Sequence, residues 1–161
     1  MPGGDLHWIW APYSTYVDID YIYGWPSIKA YDGFPKAQSM MNIIETVLNF
    51  SYLYLAHIDA SLEALSVAPV VGLVATVMTA SKTVLYLFND WFCGPNGWCK
   101  TGHNSWFNFI FLWVIPNTPW IFIPTIISYV LGSQIADNLL LAGKVAAGGA
   151  KGAAAQKKKA R

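Results

Sequence analysis

Three stretches of the chain stay apolar for about the 20 residues a helix needs to cross a bilayer core. They cover residues 38–58 (QSMMNIIETVLNFSYLYLAHI), 65–88 and 106–131. The pattern predicts an all-α fold: a polytopic membrane helix bundle over 38–142, with three clear spans. The third span contains Pro116, Pro119 and Pro124. Each removes a backbone donor, so a kink is expected, with neighbours or water satisfying the freed carbonyls.

The segments on either side of the bundle read differently. Residues 1–37 open with the aromatic run HWIWAPYSTYVDIDYIYG, which carries Pro12, Asp18 and Asp20. A charge near the centre of a membrane helix is costly. An interfacial segment is therefore expected, with Asp18 and Asp20 on a solvated face, followed by the loop WPSIKAYDGFPKAQ. Residues 143–161 are a low-complexity Ala/Gly/Lys tail, expected to be disordered.

Composition supports a membrane environment. Hydrophobic residues make up 55% and charged residues 12%, about half the charge of an ordinary soluble domain. Aromatics reach 16%, as suits a surface that meets lipid headgroups. Six of the ten Lys and Arg lie after residue 143. That basic tail carries no nucleic-acid motif, and the apolar body argues against a nucleic-acid partner. By the excess of positive charge the tail is placed in the cytosol, which puts the connection at 59–64 on the same side and the loop at 89–105 in the lumen. Cys93 and Cys99 stand in FCGPNGWCK within that loop. A disulfide between them is favoured over two free thiols, because Gly94, Pro95 and Gly97 permit a tight turn and a lumen is oxidising. Lys158 and Lys159 occupy the fourth and third positions from the C-terminus, where endoplasmic-reticulum membrane proteins carry a dilysine retrieval signal. A multi-pass protein of that membrane is expected, with a cytosolic C-terminus.

Two ionisable residues fall inside predicted spans, Glu45 and Lys82. Counted from the short connection at 59–64, their depths are roughly 20 and 26 Å, about one helical turn apart. An antiparallel helix pair brings them together. Two readings stand level: a structural ion pair, and a proton donor or ligand anchor in a cavity. In the third span, PNTPW supplies Asn117, both donor and acceptor, and Trp120, whose face attracts cations. No P-loop, dinucleotide fingerprint, zinc signature or nucleophile elbow occurs, and no metal or cofactor is expected. His103 and His57 read as interfacial residues at opposite ends of their spans.

Several short runs, in one order, resemble the EXPERA-domain family of emopamil-binding sterol isomerases and the sigma-two receptor. They are AYDGF, MMNIIETVLNF, VLYLFND, GHNSWFNFIF and NTPWIFIP, and the likeness covers about residues 27–131. It implies a helix bundle around an intramembrane cavity open to lipid. Glu45 resembles the family's cavity glutamate, Asn117 and Trp120 its Asn-x-x-Trp pair, and Asp32 an aspartate in the preceding loop. The implied ligand is a sterol or cationic amphiphile. The implied chemistry is double-bond isomerisation by proton transfer, with Glu45 as the catalytic candidate and Asp18, Asp20, Asp32 or His103 as its partner.

The chain departs from the family by lacking a His and Glu one turn apart on a first helix. It also has Lys82 where the isomerases carry small or acidic residues, and three spans where the family has four. Either an N-terminal helix is missing, or residues 7–24 are its remnant. These departures favour a non-catalytic sterol- or lipid-binding protein. An isomerase is the second reading. The third is a structural subunit that associates with a membrane-protein partner or with its own copies.

Overall fold

The computed structural model describes Gly4 and residues 6–159, with side chains described up to residue 149. Among the described residues the fold is entirely helical. The elements are α1 (His7–Ile19), α2 (Trp25–Lys29), α3 (Phe34–Leu53), α4 (Leu62–Trp91), α5 (Ile115–Asn117) and α6 (Pro119–Lys159). The helix of α3 continues in π-helical form over Tyr54–Asp59, and a second π-helical stretch, Asn108–Val114, leads into α5. Around the prolines, the side chains of Asn117, Thr118 and Thr125 each donate to a carbonyl one turn back, at 2.7, 2.8 and 2.6 Å.

Two helices are long and apolar enough to cross a membrane: α4 and the run Asn108–Gly149. In the second, only 11% of the most apolar window is buried within the chain, so its surface points outward. Residues 38–58 are helical as expected, but Gln38, Asn42, Glu45 and Asn49 recur every three or four residues and lower the apolarity of α3. That spacing gathers them on one face.

α4 packs against both α3 and α6. Besides Pro69, its buried positions are Ala64, Ala68, Gly72, Ala75, Thr79, Thr83, Tyr86 and Asp90, a seam at three- and four-residue steps made of small residues as far as Thr83. Small side chains let helix backbones approach closely where lipid supplies no hydrophobic drive. Gly72 is a close approach: a Cβ added there would lie 2.9 Å from both Tyr52 of α3 and Leu131 of α6. Ser61 caps the start of α4 by accepting the Ala64 amide at 3.2 Å.

Two expectations for the flanking segments fail. The tail is not irregular: α6 runs unbroken to Lys159. Extending an existing helix needs no new nucleus, and Ala, Lys and Gln are good helix formers, which outweighs the glycines. The side chains of Lys158 and Lys159 lie outside the described residues. Nor is the N-terminal segment solvated throughout. Trp8, Trp10, Tyr13 and Asp18 of α1 are exposed, but Ile19, Asp20 and Ile22 are buried, and Ile19 and Ile22 form a cluster with Tyr86 and Trp113.

The connection between α4 and the second π-helical stretch is stapled to this N-terminal segment. Cys93 and Cys99 are disulfide-bonded, with Cα atoms 5.7 Å apart, and Gly94 and Gly97 take positive φ of 66° and 69°. Buried Asp90 accepts the Lys100 amide at 2.7 Å and the Thr101 hydroxyl. Asn104 donates to the Ile19 carbonyl at 2.7 Å, and Tyr21 stacks on His103 at 3.7 Å. Cys93 and Cys99 belong to a cluster with Asp90 whose geometry resembles a metal site, but sulfurs joined to each other offer no thiolate. Reduction of the disulfide frees this short loop in the unfolded chain and is expected to lower stability by about 2 kcal/mol. Thermal unfolding with and without reductant measures it, and an unchanged midpoint contradicts it.

Asp32 ends this staple. Its carboxylate pairs with Lys100 Nζ at 2.8 Å and accepts the Phe34 amide at 2.9 Å, at the start of α3. The Lys100 hydrogen bond, helped by the Phe34 amide, holds the Asp32 carboxyl below the ordinary aspartate range. A depressed folded pKa contributes stability above the unfolded value, about 4, and that contribution disappears as pH falls through the folded value. Asp32→Asn is therefore expected to destabilise at neutral pH and to lose part of the acid-side slope. Melting curves of both proteins from neutral to acid pH test this. Parallel curves are the contrary result.

Candidate functional site

A cavity of about 330 Å³ lies where α3, α4 and the α5–α6 junction meet the N-terminal segment. α3 contributes Gln38, Asn42, Glu45 and Thr46; α4 contributes Thr79, Lys82, Thr83 and Tyr86. Asn117 and Trp120 come from α5 and α6, and Tyr16 and Tyr23 from the N-terminal segment. Helical spacing explains the first two sets. Residues 38, 42 and 45 form one stripe of α3, residues 79, 82, 83 and 86 one stripe of α4, and the two stripes face each other.

Glu45 and Lys82 meet across this interface as an ion pair, with side chains 13% and 11% exposed. The Lys82 ammonium also donates to Asn42 Oδ1, and Gln38 Nε2 donates to the Lys82 carbonyl at 3.3 Å. Asn117 spends an N–H on the Trp113 carbonyl at 2.7 Å, which leaves its side-chain oxygen as an acceptor toward the cavity. Trp120 is 59% exposed and forms the rim. A second, apolar cavity of about 230 Å³ adjoins the first through Glu45, Thr79 and Trp120 and continues along Pro119, Ile123 and Ile127.

Asp32 takes no part in this cavity. It belongs to the staple with Lys100, because the turn before α3 carries it to the helix end instead of the helix interface. Asp18 is exposed on α1, and His103 Nε2 lies 2.8 Å from the Asp18 carbonyl oxygen. His57 is exposed beside Tyr52. None of these groups lines the cavity beside Glu45.

Sequence reasoning missed the wall behind the cavity. Asp20 was expected on a solvated face, yet it is fully buried. It accepts the Ile22 amide at 2.9 Å, the Tyr86 hydroxyl, and the Tyr16 hydroxyl at 3.4 Å. Tyr86 in turn accepts from Trp113 Nε1 at 2.5 Å. Burial pushes the Asp20 carboxyl up from the ordinary aspartate range, and the Tyr86 hydroxyl bond pulls part of the way back. The signal for Thr79, Thr83 and Tyr86 was present as polar groups at helical spacing in an apolar run. Nothing local marked Asp20, whose partner Tyr86 is 66 residues away. No protein-family model, curated protein or solved structure matches this chain.

Proposed function

We propose that this chain is a multi-pass membrane protein of the endoplasmic reticulum that binds a sterol or related polycyclic amphiphile in the cavity beside Glu45. The observation that carries the proposal is convergence. Glu45, Lys82, Asn117 and Trp120, separated by up to 75 positions, line one cavity. The volume, about 330 Å³ with an apolar annex of about 230 Å³, lies in the size class of small-molecule sites. The annex accepts rings and the polar chamber a head group. α3 with its π-helical extension, Phe34–Asp59, is roughly 39 Å long at 1.5 Å per residue, enough for a third span. Its polar stripe turns toward α4, so its lipid side is left to Ile43, Ile44, Val47 and Phe50, all exposed. The excess of Lys and Arg after residue 143 supports cytosolic placement of this segment. Binding without turnover is favoured because Glu45 is engaged by Lys82 and none of Asp18, Asp20, Asp32 and His103, the acid–base partners expected from the sequence, lines the cavity.

Equilibrium binding of a labelled sterol to the full chain in nanodiscs tests this reading. Saturable binding is expected, weakened about tenfold by Trp120→Ala, the loss typical of one aromatic wall, with the sterol recovered unchanged. Absence of saturable binding refutes the proposal. A shifted ring double bond that disappears in Glu45→Gln makes the protein an isomerase.

A further inference from the structure

The charge balance of the cavity specifies which head group it takes. Glu45 is the one carboxylate and Lys82 the one ammonium lining it among the described residues, and they are bonded to each other. The remaining polar lining is uncharged amide and hydroxyl: Gln38, Asn42, Thr46, Thr79, Thr83 and Asn117, together with the tyrosines. Asp20, which accepts from the lining residues Tyr16 and Tyr86, is fully buried, with both carboxylate oxygens hydrogen-bonded. Asp32 is paired with Lys100 outside the cavity.

We infer that the cavity selects a neutral, oxygen-headed polycyclic lipid, an alcohol or a ketone, and rejects the same skeleton bearing an amine. The inference deepens the proposed function and rests on it. A cationic head needs the Glu45 carboxylate, and Lys82 already holds it. To bind there, the amine must break the Lys82 pair or sit beside a like charge in a site of low dielectric. An anionic head faces the converse, because taking the ammonium strands Glu45. A hydroxyl or carbonyl disturbs neither charge. It meets amide and hydroxyl groups that both donate and accept, including the Asn117 side-chain oxygen, which accepts no hydrogen bond among the described residues. Selectivity then comes from what the ion pair repels as much as from what the amides attract.

The test uses the full chain in nanodiscs and one steroid skeleton carrying hydroxyl, ketone, amine or carboxylate at the same position. Wild type is expected to bind the alcohol and ketone at least about tenfold more tightly than the amine, the penalty of one like-charge contact in a partly buried site. Lys82→Met frees Glu45 and is expected to invert that ratio, so that the amine becomes the best ligand. Glu45→Gln frees Lys82 instead. It is expected to keep the amine out and raise carboxylate binding by a similar factor. If Lys82→Met does not yield folded protein, the Glu45→Gln arm decides alone.

An amine that binds wild type as well as the alcohol overturns the inference while leaving the cavity as a ligand site. So does an amine-to-alcohol ratio that Lys82→Met leaves unchanged, or a Glu45→Gln protein that gains amine instead of carboxylate. No binding of any of the four skeletons overturns the inference together with the proposed function.

Discussion

Lys82→Met is expected to lower the folding stability by about 3–5 kcal/mol, the cost of stranding one charge of a buried pair. Glu45, only 13% exposed beside Lys82, then faces a cavity that no other cation lines among the described residues. Asn42 also loses the donor that its side-chain oxygen accepts. The methionine keeps the length of the aliphatic stem, so lost packing contributes little to the change. The paired replacement Glu45→Gln/Lys82→Met removes both charges and is expected to recover most of the loss, since a neutral pair of similar volume carries no desolvation penalty. Thermal unfolding of the four proteins in one detergent closes the cycle. A single variant no less stable than the double one shows that the pair is solvated and that the two helices do not depend on it.

Asp20→Ala is the second large effect, expected at about 3 kcal/mol from two buried donors losing their acceptor. The Ile22 amide and the Tyr86 hydroxyl both point at the missing carboxylate. Tyr86 also holds Trp113, the largest fully buried side chain, so the loss spreads to the junction of α4 with the second π-helical stretch. Tyr86→Phe is expected to cost less, about 1 kcal/mol, because it removes one hydroxyl and leaves the ring contacts with Trp113 and Tyr23 in place. In the double variant the two losses should overlap by about 1 kcal/mol, the mark of a shared hydrogen bond. A stability change within about 0.5 kcal/mol for Asp20→Ala is what an exposed carboxylate gives, and it contradicts the buried network.

The two halves of the candidate site were unequally legible. Glu45 and Lys82 stood out because each interrupts an apolar run, and the short connection between their helices allowed depth to be counted from a common origin. Asn117 and Trp120 stood out as a donor–acceptor amide and a cation-attracting ring within the third apolar run, the resemblance of NTPW pointed to them again, and both line the cavity with the ion pair. Asp32 was drawn in by the same resemblance, but its hydrogen bonds tie it to Lys100 and the first turn of α3. The N-terminal segment was misread because its acids alternate with aromatics within a few residues. That pattern says a face is mixed, not which neighbour covers it.

By itself the sequence determined the helical character of the chain, the position of its apolar runs and the meeting of Glu45 with Lys82. These follow from side-chain period and rise per residue, which are local and additive along a helix. Tertiary structure alone decided that Asp20 is buried under Tyr86, that Lys100 serves Asp32 and that Asn104 closes on Ile19, contacts spanning 66, 68 and 85 positions. A polar side chain accepts burial wherever a partner satisfies it. The identity of that partner depends on how separate helices and loops pack, which no local pattern encodes.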